Sequence, residues 1–346
     1  MLVAKPIKLP ANQFDHFYKG GNKIGKLRNG PGGPMRPEEW LGSTTTRFGA
    51  ATQGLTVLED ETTLRESVLT NPESWLGKAH VARYGPSIEL LVKLLDPDQR
   101  LPVHFHPKRN FAKQHLGVPH GKTEAWIILE APKDAWVGIG FESNMTMQNV
   151  KNMVENEDSS ALVESLNKRK VKAGEGILVP AGIPHAIAAG IFILELQEPT
   201  DFSILLEWEG FAVDGVKDGH LNLGFDVALQ ALELSALSKD NVEKLIVNTQ
   251  NESSLMTSML PVQADPYFRS HLLRPKNASL EFPPGFCILL AMQGKGVIST
   301  EKQGNFEINN GDAFIIPFES GSWSISGEIE ILLSRPPAPD APMSSL

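Results

Sequence analysis

Short apolar segments separated by glycine, proline and asparagine recur along most of the chain. Clear examples lie at residues 88–95, 192–197, 286–292, 313–316 and 329–335. Apolar runs of this length between turn residues are typical of β-strands buried on both faces. The pattern therefore predicts a mainly β protein.

Three stretches have helical patterning instead. Residues 62–82 contain helix-start signals, including a proline at a first-turn position in NPESW. Residues 144–169 and 225–247 place apolar side chains at helical spacing among polar ones. We expect these stretches to be helical insertions between the strands.

The predicted strands form two groups, which indicates two β-barrel domains. We predict a first domain over residues 1–215, a helical connector over 216–248 and a second, smaller barrel over 249–336. Residues 337–346 are rich in proline and are expected to form an extended tail.

Four side chains have the identity and spacing of metal ligands. His104 and His106 alternate along one predicted strand, so both imidazoles point to the same face. His185 follows a Pro-Gly turn, and Glu124 begins another β-rich run. A lone histidine on an apolar strand is usually a core residue, but this combination favours a ligand set. Nitrogen ligands with one carboxylate suit one divalent metal, zinc first and manganese or iron as alternatives, better than calcium or magnesium.

The second barrel repeats the first without its ligand. The separation of Gly174 from Pro180 recurs between Gly311 and Pro317, and Ser322 stands where the first copy has its third histidine. We therefore expect the second copy to keep the strand–turn–strand scaffold and to bind no metal.

Composition limits the possible partners. A net charge of −9 and an isoelectric point near 5.5 disfavour nucleic acid and anionic membranes. The single Cys287 excludes an intramolecular disulfide. The sequence MLVAKPIKLP lacks the apolar region of a signal peptide, and no 18-residue apolar run is present, so we expect a cytoplasmic protein.

The metal motifs resemble those of cupin barrels, and residues 38–211 resemble the type I mannose-6-phosphate isomerase family. EEWLGSTT, LLVKLLDPDQRLPVHFHP, GKTEAW and VPAGIPHAIAAGIFILELQEPTD match that family's segments in order and with similar spacing. The resemblance implies two cupin-type jelly-roll β-barrels with helical insertions. It also implies a metal-dependent aldose–ketose isomerase that acts on a sugar or sugar phosphate through an enediol.

Isomerisation needs a group that moves a proton between adjacent carbons. Glu195 and Gln197 alternate on one strand, so both point the same way. Glu195 is our candidate base, as the resemblance also suggests, and a structural carboxylate at the barrel rim is the alternative. Lys122, two residues before Glu124, is a second acid–base candidate, unless it is a solvated lysine at a strand end. Gln197 is a candidate substrate contact.

The segment between His106 and Glu124 is basic. Lys108, Arg109 and Lys113 stand beside the predicted metal, which indicates that they bind an anionic group of the substrate. A solvated loop is the alternative interpretation.

Three positions depart from the family pattern. Leu205 stands at a family arginine, His104 at a usual glutamine, and Lys108 with Arg109 at a small-polar or acidic pair. The first change puts mannose 6-phosphate itself in doubt as the preferred substrate. The second brings the ligand set closer to the three-His, one-Glu set of cupin oxygenases.

Three other functional classes remain open from the sequence. An oxygenase would use the same ligands with iron, an epimerase would share the pocket, and a non-catalytic sensor would bind a sugar without turnover. The exact sugar and the oligomeric state are also open.

Overall fold

A computed structural model describes residues 5–30, 32–250 and 252–342. Within them the strands, in chain order, are β1 Ile7–Lys8, β2 Glu38–Leu41, β3 Leu91–Leu95, β4 His104–Phe105, β5 Glu124–Glu130, β6 Trp136–Phe141, β7 Leu166–Lys170, β8 Glu175–Val179, β9 His185–Ile187, β10 Phe192–Gln197, β11 Ile204–Leu205, β12 Ile246–Asn248, β13 Met256–Ser258, β14 Arg269–Leu273, β15 Lys276–Phe282, β16 Cys287–Thr300, β17 Gly304–Asn309, β18 Ala313–Ile316 and β19 Trp323–Arg335. The α-helices are α1 Lys23–Arg28, α2 Leu64–Thr70, α3 Pro72–Leu76, α4 Lys78–Tyr84, α5 Arg109–Phe111, α6 Met147–Glu155, α7 Ser159–Glu164, α8 Gly215–Asp218, α9 Phe225–Ala228 and α10 Lys239–Glu243.

Two antiparallel sheets form the first part of the chain. Their strand orders are β12-β8-β5-β10-β3-β2 and β11-β4-β9-β6-β7. Trp126, Ile177 and Ile193 of the first sheet share one buried cluster with Ile139 and Ile187 of the second. The sheets therefore pack face to face around an apolar core, which is what strands with alternate inward side chains produce.

The third sheet has eight strands and is built on the long strands β16 and β19. The number and extent of the strands confirm the prediction of a mainly β protein. The strand order of each sheet ends at two edge strands that are not hydrogen-bonded to each other, so the pairing does not close any sheet into a barrel. Strand β1 of the first part pairs with β18 of the second, and β12, at the end of the connector, pairs with β8 of the first part.

The predicted repeat is visible in the backbone. Gly174 and Gly311 have φ angles of 85° and 81°, and each precedes the matching strand, β8 or β18. Only glycine adopts this left-handed conformation without strain. After Pro317, a single 3-10 turn at Phe318–Ser320 leads to Ser322 and then to β19.

The helical insertions occur where they were predicted. Helices α2 to α4 follow one another from Leu64 to Tyr84, and Thr63 caps α2 with Glu66 in a reciprocal capping box. Helices α6 and α7 occupy most of the 144–169 stretch. Within the described residues, no helix combines the length and apolar character that crossing a membrane requires.

The proline-rich tail begins as a packed segment. Pro336 and Pro337 are buried, and the Tyr84 hydroxyl donates to the Ala338 carbonyl at 2.9 Å. The start of the tail therefore lies against α4 rather than extending freely into solvent.

Candidate metal centre

Two short strands bring the three histidines together. His104 in β4 is directly opposite His185 in β9, and their Nε2 atoms are 3.0 Å apart. His106, two residues after His104, lies on the same face, and its ring centroid is 5.0 Å from that of His104 and 4.9 Å from that of His185. All three side chains are buried, and one ring nitrogen of each lies within 4.8 Å of the others.

Backbone carbonyls fix the orientation of two of the rings. Nδ1 of His104 donates to the Pro102 carbonyl at 2.8 Å, and Nδ1 of His185 donates to that of Ile183 at 2.9 Å. These bonds select the tautomer whose Nε2 carries the lone pair, which is the form that binds a metal. Burial lowers the pKa of His106 to about 3 and lowers that of His104 well below its ordinary value. Both rings are thus neutral near pH 7.

Glu124, at the start of β5, completes the predicted set. Its Oε2 lies 3.0 Å from Nε2 of His106, and its Oε1 lies 3.3 Å from Nε2 of His185. Burial alone would raise the pKa of Glu124, but Lys122, His106 and His185 outweigh burial and hold that pKa well below its ordinary value. The Trp126 indole N–H donates to Oε1 at 3.0 Å, which fixes the carboxylate.

The donor set fits a metal on chemical grounds. Two imidazole lone pairs that face each other at 3.0 Å repel unless a cation lies between them, and a carboxylate lies against two of the rings. A buried group of three histidines can therefore bind a metal. Nζ of Lys122 lies 2.9 Å from Oε2 of Glu124 and 3.0 Å from Nε2 of His106, so this ammonium neutralises the carboxylate in the structure.

A cavity of about 550 Å³ opens beside the histidines. Its polar lining comes from several separate elements of the first part of the chain. These residues include His16, Tyr18, Glu38, Arg47, Lys93, His104, Lys122, Glu124, Glu195, Asp201, Asp214 and Asp218. Such a cavity is large enough for a sugar or a sugar phosphate.

Glu195 lies in this cavity, as predicted. It is buried on β10, opposite Lys93 of β3 on one side and Trp126 of β5 on the other. Burial, reinforced by the Glu124 carboxylate, raises the pKa of Glu195 to about 8. A carboxyl group that gains and loses a proton near neutral pH is suited to acid–base work.

Lys93 is the centre of a charge network that sequence reasoning missed. Its Nζ lies 3.1 Å from Asp201, 3.3 Å from Glu38 and 3.8 Å from Glu195. Burial would lower the pKa of Lys93, but these three carboxylates outweigh burial and raise it, so Lys93 is cationic. A lysine inside the apolar run IELLVKLLD was the available signal, because charges are rarely buried without partners.

His16 is a second residue that the sequence did not single out. Its Nδ1 lies 3.5 Å from Oε1 of Glu38, and its Nε2 is buried without a hydrogen-bond partner in the described chain. Burial lowers the pKa of His16, so the ring is neutral at pH 7. With Nδ1–H directed at Glu38, Nε2 carries the lone pair of the neutral ring.

The predicted basic segment lies outside the cavity. Lys108 faces Glu233 at 3.8 Å, and Lys113 is exposed. Nε of Arg109 forms an ion pair with Glu198 at 2.5 Å, and its guanidinium lies 5.0 Å from the Tyr267 ring centroid. These side chains therefore form contacts with other parts of the protein or face solvent, and they do not line the cavity.

Gln197 also lies outside the cavity lining. Its side-chain amide donates to the Thr200 carbonyl, so it fixes the turn that leads to Asp201. Gln197 thus supports the position of a cavity carboxylate instead of contacting the cavity itself.

Arg47 is the cavity cation with the fewest charged contacts. Its guanidinium donates to the Asp15 carbonyl at 3.2 Å and to Gln53 at 3.4 Å, and within the described residues it forms no ion pair. The next amide, of Phe48, donates to Asp201 at 3.3 Å, which ties this loop to the cavity wall. Leu205 lines the same cavity.

The sequence comparisons identify relatives with one shared name. A family model described as "Mannose-6-phosphate isomerase, cupin domain" matches residues 261–336. "Mannose-6-phosphate isomerase ManA" of Bacillus subtilis is 29% identical over 254 residues, which are 72% of this chain and 76% of that protein. "Mannose-6-phosphate isomerase" of Streptococcus mutans is 27% identical over 249 residues, 71% of this chain and 73% of that protein.

Solved structures share the fold over nearly the whole chain. The mannose 6-phosphate isomerase from Bacillus subtilis superposes with a TM-score of 0.74 at 21% identity and covers 95% of this chain and 99% of its own. A variant of phosphomannose isomerase from Salmonella typhimurium gives a TM-score of 0.73 at 16% identity, with 96% and 100% covered. The histidine centre, the matched family model and these relatives together show that the chain is similar to mannose-6-phosphate isomerases and shares their fold.

Proposed function

We propose that this protein is a metal-dependent aldose–ketose isomerase of a sugar or sugar phosphate. The observation that carries the proposal is the convergence of three buried histidines beside a cavity that also contains Glu195. Its relatives named mannose-6-phosphate isomerase support the same reaction class.

The metal would be held by His104, His106, His185 and Glu124. Three nitrogens and one carboxylate favour zinc, and manganese and iron accept the same donors. When bound, the metal supplies Lewis-acid stabilisation of the charge that develops on the substrate oxygens. Lys122 lies against two of the proposed ligands, and its charge would then be available to a substrate oxygen.

Glu195 would move the proton between the two carbons. Its carboxyl group lies within 3.8 Å of Lys93, and a pKa of about 8 allows the group both to hold and to release a proton near neutral pH. Lys93, fixed by Glu38 and Asp201, keeps the Glu195 side chain in place. Lys122 is the second acid–base candidate.

Recognition of the substrate would come from the cavity wall. His16, whose Nδ1 faces Glu38, forms part of this wall. Arg47 would bind an anionic group at the loop that Phe48 ties to Asp201. Arg47 is better placed for this than Lys108, Arg109 or Lys113, which lie outside the cavity.

The fold supports a finer architectural proposal. The two packed sheets of the first part and the eight-stranded sheet of the second would each represent one cupin-type jelly roll. The family model supports this for residues 261–336, and the matched glycine turns support it for both copies.

Steady-state kinetics on a panel of aldoses, ketoses and their phosphates, with zinc, manganese or cobalt, tests the proposal. We expect aldose–ketose interconversion that is lost on chelation and restored by metal. Absence of interconversion across the panel, despite stoichiometric metal, would reject the isomerase assignment.

An oxygenase is the one alternative that the ligand set itself favours, because His104 provides a third imidazole. Iron content together with oxygen consumption would identify an oxygenase. A sugar epimerase would share the pocket, and NMR of the products separates epimerisation from isomerisation.

A further inference from the structure

Two arginines face each other at the end of the second sheet. Arg269 opens β14, Arg335 ends β19, and the register pairs them directly across the two strands. Like charges in that position destabilise a sheet. Burial, and next the neighbouring Arg335, lower the pKa of Arg269. This pair breaks a local rule of sheet formation, and such violations concentrate at functional sites.

None of the groups that hydrogen-bond to the pair carries a negative charge, and Asp265 and Asp340 act on Arg269 only from beyond ion-pair distance. Nε and Nη2 of Arg269 donate to the Pro336 carbonyl at 3.1 and 2.9 Å. Nη2 of Arg335 lies 3.3 Å from Nδ1 of His271, and its Nε is buried without a hydrogen-bond partner among the described residues. Within the described residues, neither guanidinium has a carboxylate at ion-pair distance.

The His271 ring beside Arg335 is neutral. Burial, and then the two arginines, lower its pKa to about 4, so the ring is neutral at pH 7 and accepts from Arg335. Two largely buried positive charges whose hydrogen-bond partners are all neutral are costly unless an anion offsets them.

Both arginines line a cavity of about 790 Å³ that shares no residue with the cavity beside the histidines. One wall is formed by α3 and α4, and another by the second sheet and residues 336–339. Four basic side chains and two acidic ones line it: Lys78, Arg269, Lys302, Arg335, Glu73 and Glu319. In a protein with a net charge of −9, this is a local positive excess in a space that suits a small molecule.

We propose that this cavity binds the phosphate group of a small molecule through Arg269 and Arg335. Guanidinium groups present paired N–H donors that match the oxygens of a phosphate. Because its walls come from both parts of the chain, an occupant would bind the helical insertion of the first part and the second sheet together. The degenerate copy, which carries Ser322 at the ligand position, would thus have a binding role of its own.

Calorimetric titration of the metal-loaded protein with inorganic phosphate tests the proposal. We expect binding that R335M weakens about ten- to a hundredfold, because a charge-assisted contact is lost. The matched control K295M removes an exposed cation from the same sheet and should leave the affinity unchanged. R47Q should weaken only phosphate binding in the cavity beside the histidines. Binding that is lost in R47Q but kept in R335M would therefore belong to that cavity and not to the arginine pair.

Thermal unfolding provides the second readout. In phosphate-free buffer R335M should unfold at a higher temperature than the wild type, and it should lack the increase that phosphate gives the wild type. Ribose 5-phosphate, titrated beside inorganic phosphate, shows by its affinity whether a phosphorylated sugar or the free anion is the better ligand.

Three results would overturn the proposal: no binding of either probe, equal affinity in R335M and wild type, or an R335M variant that fails to fold. The last result would give Arg335 a structural role, and R335K, which keeps the charge but not the paired donors, checks it. A folded R335K with unchanged phosphate affinity would also contradict the site.

Discussion

Replacing Glu195 by glutamine should change how stability depends on pH. The carboxyl group has a pKa of about 8 in the folded protein because it is buried and faces Glu124, against an ordinary value of 4.5. The folded state therefore binds a proton that the unfolded state releases. The stability of the wild type is highest below about pH 4.5 and falls as the pH rises to 8.

The magnitude follows from those two pKa values. One pKa unit corresponds to about 1.36 kcal/mol, so the wild type should lose about 3 kcal/mol of unfolding free energy between pH 5.5 and pH 8 through this group. Glutamine resembles the protonated form and carries no such loss. Glu195→Gln should therefore gain about 3 kcal/mol relative to the wild type over the same interval.

Urea unfolding of the metal-free protein at several pH values measures this difference. Glu130→Gln is the matched control, because Glu130 is an exposed carboxylate at the end of β5. Its stability profile should run parallel to that of the wild type. Parallel profiles for the wild type and Glu195→Gln would show that burial does not raise the pKa of Glu195.

The same variant separates stability from catalysis. In the metal-loaded enzyme, Glu195→Gln should lower turnover about 10²-fold or more, because positioned general bases contribute at least that factor. Its metal content should equal that of the wild type. Near-normal turnover would leave Glu195 with a structural role and would move the proton transfer to Lys122.

Four further predictions concern ligands and substrate. Elemental analysis should find one metal per chain, and His106→Ala or His185→Ala should lower its affinity by at least one to two orders of magnitude; undiminished metal in both variants would exclude the centre. Anomalous scattering should show no metal beside Ser322. A stoichiometric peak there would contradict the expectation that the second copy binds no metal. Because Leu205 stands where the resembling family has an arginine, a sugar derivative other than mannose 6-phosphate should be the best substrate. Arg47→Gln should raise KM for phosphorylated sugars about tenfold, with less effect on KM for neutral sugars. Turnover of mannose 6-phosphate above that of every other sugar would contradict the first of these two expectations. An unchanged KM of Arg47→Gln for phosphorylated sugars would contradict the second.

The histidine centre was predictable because its signals are local. Alternation placed His104 and His106 on one face, and the Pro-Gly turn placed His185 at the start of a strand. The positive φ angles of Gly174 and Gly311 likewise follow from short turn patterns in the sequence.

The charge network around Lys93 was not predictable in the same way. It needs the pairing of β3 with both β2 and β10, which joins residues far apart in the chain. The basic segment after His106 shows the opposite relation between sequence and structure. Its closeness in sequence suggested closeness to the cavity, but the chain turns into α5, and Arg109 contacts Glu198 and Tyr267.

The strand pairing between the two parts of the chain could not be predicted from local sequence patterns either. Strand β1 pairs with β18, some 300 residues later in the chain, and no pattern around Ile7 indicates this partner. Pairings of that separation depend on the packed tertiary structure rather than on propensity.

The most direct test of the proposed activity is NMR of the metal-loaded protein with aldose and ketose phosphates in deuterated water. We expect conversion of an aldose into its ketose with solvent deuterium at the carbon that exchanges its proton, and no conversion by His185→Ala. Deuterium-free oxidised products, or no conversion of any sugar by the fully metallated wild type, would exclude an aldose–ketose isomerase.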